Sequence, residues 1–206
     1  MIIAVDGPTA SGKGTIAKAL AERFGLPHLD TGLLYRAVGR QVALAGGDPD
    51  DAGDALAACG FPDSLLEDEA LRSEECGSLA SRVSVHPAVR RALYERQRAF
   101  ALQEGGAVLD GRDIGTVIAP EAEVKLFVTA SVQERARRRW LEMRGRGIAA
   151  DLAAIERDIT ARDARDMGRS DAPLLAASDA LTLDTSAFNR EQAIEAAIEA
   201  VEARLA

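Results

Sequence analysis

The chain has 206 residues, 47% of them hydrophobic, enough to bury the core of one ordinary domain with small subdomains at most. Its formal net charge of −8 excludes a protein devoted to coating nucleic acid, whose affinity would rest on a basic surface. No basic segment precedes the short apolar N-terminal run and no stretch approaches a membrane span, so the expectation is a cytoplasmic protein that engages no membrane.

The run Ile2 to Val5 has the length and β-branched content of a strand buried on both faces. It breaks into Gly7, Pro8, Thr9, Ala10, Ser11, Gly12, Lys13, Gly14 and Thr15, in which Gly7, Gly12 and Lys13 satisfy the spacing Gly-x-x-x-x-Gly-Lys. Ile16, Ala17, Leu20, Ala21 and Phe24 then recur at helical spacing until Gly25 and Pro27 stop the helix. Strand, glycine-rich loop and helix in that order form a phosphate cradle. Backbone amides converge on a polyphosphate only where side chains leave the inner curve open, and a helix start adds unpaired N–H groups and a positive dipole end. Lys13 is expected to reach the outer phosphates as a point charge. Gly14 follows it, so Thr15 must supply the hydroxyl that holds a magnesium ion.

Leu26 to Leu29 reads as a second strand, and Asp30-Thr31-Gly32 opens a helix that turns Leu34, Val38 and Val42 to the core before Gly46-Gly47. The acidic stretch from Asp48 to Ser78 predicts short helices of a mobile subdomain. His86-Pro87 starts a helix with Val89, Leu93 and Phe100 inward and Gly105-Gly106 at its end. Cys59 and Cys76 have neither metal spacing nor a disulfide-rich setting and are expected to be reduced bystanders.

Ala107 to Leu109 is a third strand that delivers Asp110-Gly111-Arg112-Asp113, and a carboxylate there suits the positioning of magnesium, through water. Glu123 to Ala130 is a fourth strand. Ser131-x-x-Glu134 is a capping-box signature for a helix that carries Arg135, Arg137, Arg138 and Arg139, and Gly145 and Gly147 flank a break after it. Leu181 to Leu183 is a fifth strand, followed by a helix with Ile194, Ala197, Ile198, Val201 and Leu205 on one face. Strands alternating with helices predict an α/β fold of three layers around a five-stranded parallel sheet, with ligands at the carboxyl ends of the strands.

Between Asp151 and Arg169, positions 152, 155, 159, 162, 166 and 169 fall on one helical face and read Leu, Ile, Ile, Arg, Asp, Arg. An apolar stripe thus turns into a charged one, with Arg162, Asp166 and Arg169 over the mouth of the site. On its own, an Arg162–Asp166 pair could equally be a solvated surface contact. Lysine occurs only at 13, 18 and 125, and arginine makes up the rest of the 25 basic residues. Its rigid fork suits phosphates and base edges, although a GC-rich coding bias gives the same usage. His28 and His86 lack ligand partners at regular spacing and read as structural or solvated; Trp140 reads as core packing before base stacking.

Four blocks, 7 to 15, Leu-Asp-Thr-Gly-Leu-Leu-Tyr-Arg at 29 to 36, Asp-Gly-Arg-Asp-Ile-Gly-Thr at 110 to 116, and Arg-Asp-Ala-Arg-Asp with Arg169 and Ala-Pro-Leu at 162 to 174, resemble bacterial cytidylate kinase in kind and order. The resemblance implies a P-loop kinase fold that transfers the γ-phosphoryl of ATP to CMP or dCMP with magnesium. It implies that Arg36, Arg112 and Arg169 hold the acceptor phosphate, that Ser81, Arg90 and Asp113 read cytosine, and that Arg162 and Asp166 lie near the sugar. Thr31, Tyr35 and Asp110 join the acceptor set, Tyr35 by packing; Lys13, Arg112 and Arg169 carry catalysis; and Thr15 with Asp110 serves the metal. The implied division is a core at about 1–30, 87–135 and 172–206, an acceptor subdomain at about 31–86 and a lid at about 136–171, in a monomer. The 48–78 stretch is shorter than in many members, which carry a small extra sheet there.

Cytosine offers a donor at its exocyclic amine where uracil offers an acceptor, so a carboxylate at Asp113 discriminates between them. The loose transition state of phosphoryl transfer leaves positioning and cations as the protein's contribution. The alternatives are another small-metabolite kinase on the same fold, a P-loop regulatory switch without an acceptor site, and a nucleic-acid module using the arginine stripes.

Overall fold

The computed structural model describes residues 1–206. In chain order it comprises β1 (Ile2–Asp6), α1 (Lys13–Phe24), β2 (His28–Asp30), α2 (Thr31–Leu44), α3 (Ala52–Ala57), α4 (Glu74–Val83), α5 (Pro87–Ala101), β3 (Ala107–Gly111), β4 (Val124–Thr129), α6 (Val132–Gly145), α7 (Leu152–Gly168), β5 (Leu181–Asp184) and α8 (Arg190–Leu205). It divides into two compact units, residues 1–29 with 101–206 and residues 30–100. No helix is long and apolar enough to cross a membrane.

The first unit is built on a five-stranded parallel sheet in the order β2-β3-β1-β4-β5. β1 is central because all five of its residues are buried and it bonds on both edges, Ile3 opposite Val108 of β3 and Val124 of β4. β5, mostly exposed, closes one edge. α1 turns Ile16, Ala17, Leu20 and Ala21 onto the sheet, and α8 adds Ala197 and Val201 to the same core of Ile3, Val5, Val108 and Leu126. Fully buried Leu20 makes truncation to Ala a loss of about 2–5 kcal/mol. Gly25, at φ 64°, ends α1 in the left-handed region that side-chain-bearing residues resist, and Leu26 N–H returns to Ala21 O at 2.9 Å.

The second unit has its own core, in which Leu34, Val38 and Val42 of α2 meet Ala55, Phe61, Leu71 and Cys76. α2 ends as its glycines require: Gly46 takes φ 70°, and Gly47 N–H reaches back to Val42 O at 3.0 Å. The 48–78 stretch does fold into short helical pieces, namely α3 and 3-10 turns at Ala58–Gly60, Asp63–Glu67 and Glu69–Arg72 ahead of α4. α5, expected with the main core, lies in this unit because Val89 and Leu93 pack into its core.

Local details depart from expectation. β2 begins at His28, after Pro27, whose ring nitrogen has no N–H for a ladder. Leu152 and Leu205 are 40% and 44% exposed, so both helical stripes fray at an end. The capping box at Ser131 is half formed: its hydroxyl accepts from Glu134 N–H at 3.2 Å, but its own N–H goes to Ser186 Oγ. Glu134 instead binds Arg137 and Arg138. Trp140 donates from Nε1 to Ala150 O at 3.1 Å beneath Arg144, tying α6 to the segment before α7 rather than filling a core.

Candidate active site

The glycine-rich loop leaves the carboxyl end of β1. Gly7 is obligatory there: at φ 155°, a Cβ would overlap Val128 O of the adjacent strand at 2.0 Å. Ala10 at φ 59° and Gly12 at φ 90° complete the reversal into α1, which begins at Lys13. The α1 start has no capping side chain and no acidic residue in its first turn, so its positive end is left for an anion.

Two loop carbonyls are held from behind. Arg135 donates to Thr9 O at 3.2 Å, and Arg138 and Thr185 donate to Ser11 O at 3.4 and 3.2 Å. In a trans peptide the N–H opposes the C=O, so the amides of Ala10 and Gly12 point away from those partners. These two amides are therefore turned to the loop's other side, as an anion cradle requires. Of the arginines on α6, these two reach the loop; Arg137 pairs with Glu134 and stands 59% exposed.

Asp110 ends up beside α1, as the strand order demands. It lies opposite Val5 in the β3–β1 register, is 2% exposed, and has Oδ2 3.6 Å from where a Cβ on Gly14 would stand. Its Oδ1 accepts from His28 Nε2 at 2.7 Å, so His28, read from sequence as bland, steadies this carboxylate. No three His, Cys, Asp or Glu side chains form a metal cage. One fixed carboxylate near a hydroxyl-bearing loop is a donor set that fits hydrated magnesium, which keeps waters and binds chiefly to substrate phosphates.

The charged end of the α7 stripe does turn inward. Asp166, 4% exposed, accepts from Arg112 Nε at 2.9 Å. Burial opposes its ionised form, but Arg112, Arg169 and Arg162 outweigh burial and hold the carboxyl below the ordinary range. Three guanidiniums thus act on one buried carboxylate. Asp113 is 4% exposed at the start of a π-helical turn, Ile114–Ile118.

The remaining predicted residues lie in the second unit. Ser81, on α4, and Arg90, on α5, are 3% and 6% exposed, and Tyr35 places its ring 5.9 Å from the Arg90 guanidinium. Arg36 donates from Nη1 to the carbonyls of Leu71 and Ser73 at 2.7 and 2.9 Å. Thr31, 3% exposed, is the first residue of α2.

Sequence reasoning missed three buried groups. Asp6 accepts from Ile114 N–H and Gly115 N–H at 2.8 Å each; a charged residue closing an apolar strand was its available signal. Asp163 binds Arg135 and lies four residues beyond Ile159 on the same broad face of α7. Thr185 is fully buried under Ser11, and nothing in its local sequence marks it.

A phosphate loop at the mouth of a parallel sheet, with guanidiniums gathered on a buried carboxylate in the same unit, defines a P-loop kinase. The family can be given as well. The chain belongs to the cytidylate kinase family, whose profile, described as Cytidylate kinase, matches residues 3–203. It is 56% identical over 204 residues to the cytidylate kinase of Cereibacter sphaeroides, spanning 99% of this chain and 96% of that protein. It is 54% identical over 206 residues to that of Xanthobacter autotrophicus, spanning 100% and 99%. A crystal structure of an uncharacterised protein from Eubacterium ventriosum shares the fold, with a TM-score of 0.56, 16% identity and 98% of each chain covered.

Proposed function

We propose that this protein is an ATP-dependent CMP and dCMP kinase of pyrimidine nucleotide metabolism, acting as a cytoplasmic monomer without nucleic-acid or membrane partners. Family membership over nearly the whole chain is the observation that carries the reading. The loop from Gly7 to Thr15 binds the ATP phosphates through its amides, with Lys13 on the outer phosphates. The Thr15 hydroxyl, and Asp110 through water, are the residues that would hold magnesium, which would supply positive charge against the phosphates.

The acceptor takes Arg36, Arg112 and Arg169 at its phosphate, Arg162 and Asp166 at its sugar, and Ser81, Arg90 and Asp113 at its base, with Thr31 and Tyr35 in support. The gathering of Arg112, Arg162 and Arg169 on Asp166 supports the phosphate assignment. Lys13, Arg112 and Arg169 stabilise charge on the transferring group, whose loose transition state asks for positioning rather than covalent chemistry. The helices between about 131 and 169 act as a lid that excludes water, and the hold of Arg135 and Arg138 on loop carbonyls supports their coupling to the donor site.

A coupled ADP-release assay with ATP, magnesium and each of CMP, dCMP, UMP, AMP and GMP tests the reading. Release stimulated chiefly by CMP or dCMP is expected. Slow release indifferent to every monophosphate contradicts it and favours a nucleotide switch.

A further inference from the structure

We propose that Asp6 is a positioning residue for base selection: from the neighbouring strand it caps the turn that carries Asp113, and so sets the orientation in which Asp113 meets the acceptor base. The inference rests on the cytidylate kinase reading above.

Asp113 sits where an aspartate ordinarily caps its own turn, yet its side chain does not do so. Its backbone carbonyl accepts from Val117 N–H and Ile118 N–H at 2.9 and 3.2 Å. The two amides next to it are taken instead by Asp6, with Ile114 N–H on Oδ1 and Gly115 N–H on Oδ2, both at 2.8 Å. Asp6 thus does the capping, and the Asp113 carboxylate is not committed to it.

The carboxylate is required by the count of donors. Two converging N–H groups need two acceptor oxygens, and an asparagine offers one acceptor and one donor. The arrangement is otherwise unfavourable, because Asp6 is 5% exposed and has the like-charged Asp113 near it. A residue serving only to fill the end of β1 would be apolar.

The turn also packs closely against a lysine stem. A Cβ at Gly115 would lie 3.1 Å from Lys125 Cδ and 3.4 Å from Asp6 Oδ2. Lys125 is itself fixed by both oxygens of Asp179, at 3.0 and 2.9 Å. A π-helical turn is uncommon and occurs frequently at functional sites. Here its amides are held by the Asp6 carboxylate and its Gly115 packs on the Lys125 stem. Because Asp6 directly precedes Gly7, the clamp also joins the base-reading turn to the phosphate loop.

The test compares the wild type with Asp6→Asn for kcat/KM with CMP and with UMP, and for the KM of ATP. The preference for CMP is expected to fall about tenfold or more, while the KM of ATP moves by less than about threefold. An equal loss with both monophosphates, or an unchanged ratio, would mean that Asp6 serves stability alone and overturns the proposal. If Asp6→Asn does not fold, Gly115→Ala and amide exchange in the wild type decide. Protected Ile114 and Gly115 amides together with a lowered CMP preference in Gly115→Ala support the clamp; fast exchange or an intact preference overturns it. A wild type that ignores CMP fails earlier and removes the kinase reading itself, which separates the two failures.

Discussion

Arg135 and Asp163 form a two-pronged ion pair between α6 and α7, Nη1 to Oδ1 at 3.1 Å and Nη2 to Oδ2 at 2.6 Å, with both side chains nearly out of solvent. The same guanidinium also donates to Ala130 O and to Thr9 O of the phosphate loop. The pair therefore joins the helix bearing Arg162 and Asp166, which ends at Gly168 with Arg169 as its extended C-cap, to the loop assigned to ATP. Removing one partner strands a buried charge, so Asp163→Ala should cost about 3–5 kcal/mol of stability. Urea unfolding of the two proteins measures it. A loss under about 1 kcal/mol would show that the pair is solvated and no real link.

Asp166 predicts an acid-dependent term. Its carboxyl is held below the ordinary 3.8, burial resisting and Arg112, Arg169 and Arg162 prevailing. A depressed folded pKa contributes stability that is present above the unfolded value and lost as pH falls through the folded one. The stability difference between wild type and Asp166→Asn should hold steady from neutral pH down to about 4 and shrink below it. A difference that grows on acidification contradicts the assigned arginine cluster.

Asp6 predicts the opposite sign. Burial pushes its carboxyl up to about 7, with Asp113 adding to the rise and the two amides and Arg112 restraining it. Between the ordinary 3.8 and about 7 the folded state binds more protons than the unfolded one, so this group's contribution falls as pH rises through that window. The full change is on the order of 4 kcal/mol. Relative to Asp6→Asn, the wild type should lose stability from pH 5 to 8, by about 1.4 kcal/mol per unit at most. A flat difference would mean that the amides keep Asp6 ionised throughout.

Asp113→Asn should relax discrimination between CMP and UMP. Uracil sets an acceptor oxygen where cytosine has its amine, and a buried carboxylate facing that oxygen rejects it by orders of magnitude. The amide can rotate to donate instead. The two kcat/KM values should approach each other within about tenfold. An unchanged ratio removes Asp113 from the base pocket.

Much of this was legible from local pattern. The buried run at β1, the glycine spacing and the helical stripe of α1 each follow from residues close in sequence, and the strand and helix stand where those patterns place them. The α7 stripe was legible for the same reason, since Ile159 and Asp166 are both buried as its spacing predicts. What stayed hidden depends on distant partners. Asp6 and Ile114 are 108 residues apart, Arg135 and Thr9 126, and Thr185 and Ser11 174. A buried polar residue in a lone sequence says only that a partner exists. His28 reads from sequence as structural or solvated, and which of the two depends on Asp110, which arrives on a strand 82 residues later.

The central claim is transfer of the ATP γ-phosphoryl group to cytidylate, and phosphorus NMR of the protein with ATP, CMP and magnesium follows it directly. The account predicts that ATP and CMP signals decline together while ADP and CDP signals grow in equal amounts, with little inorganic phosphate. Growth of ADP and inorganic phosphate with CMP unchanged would contradict it.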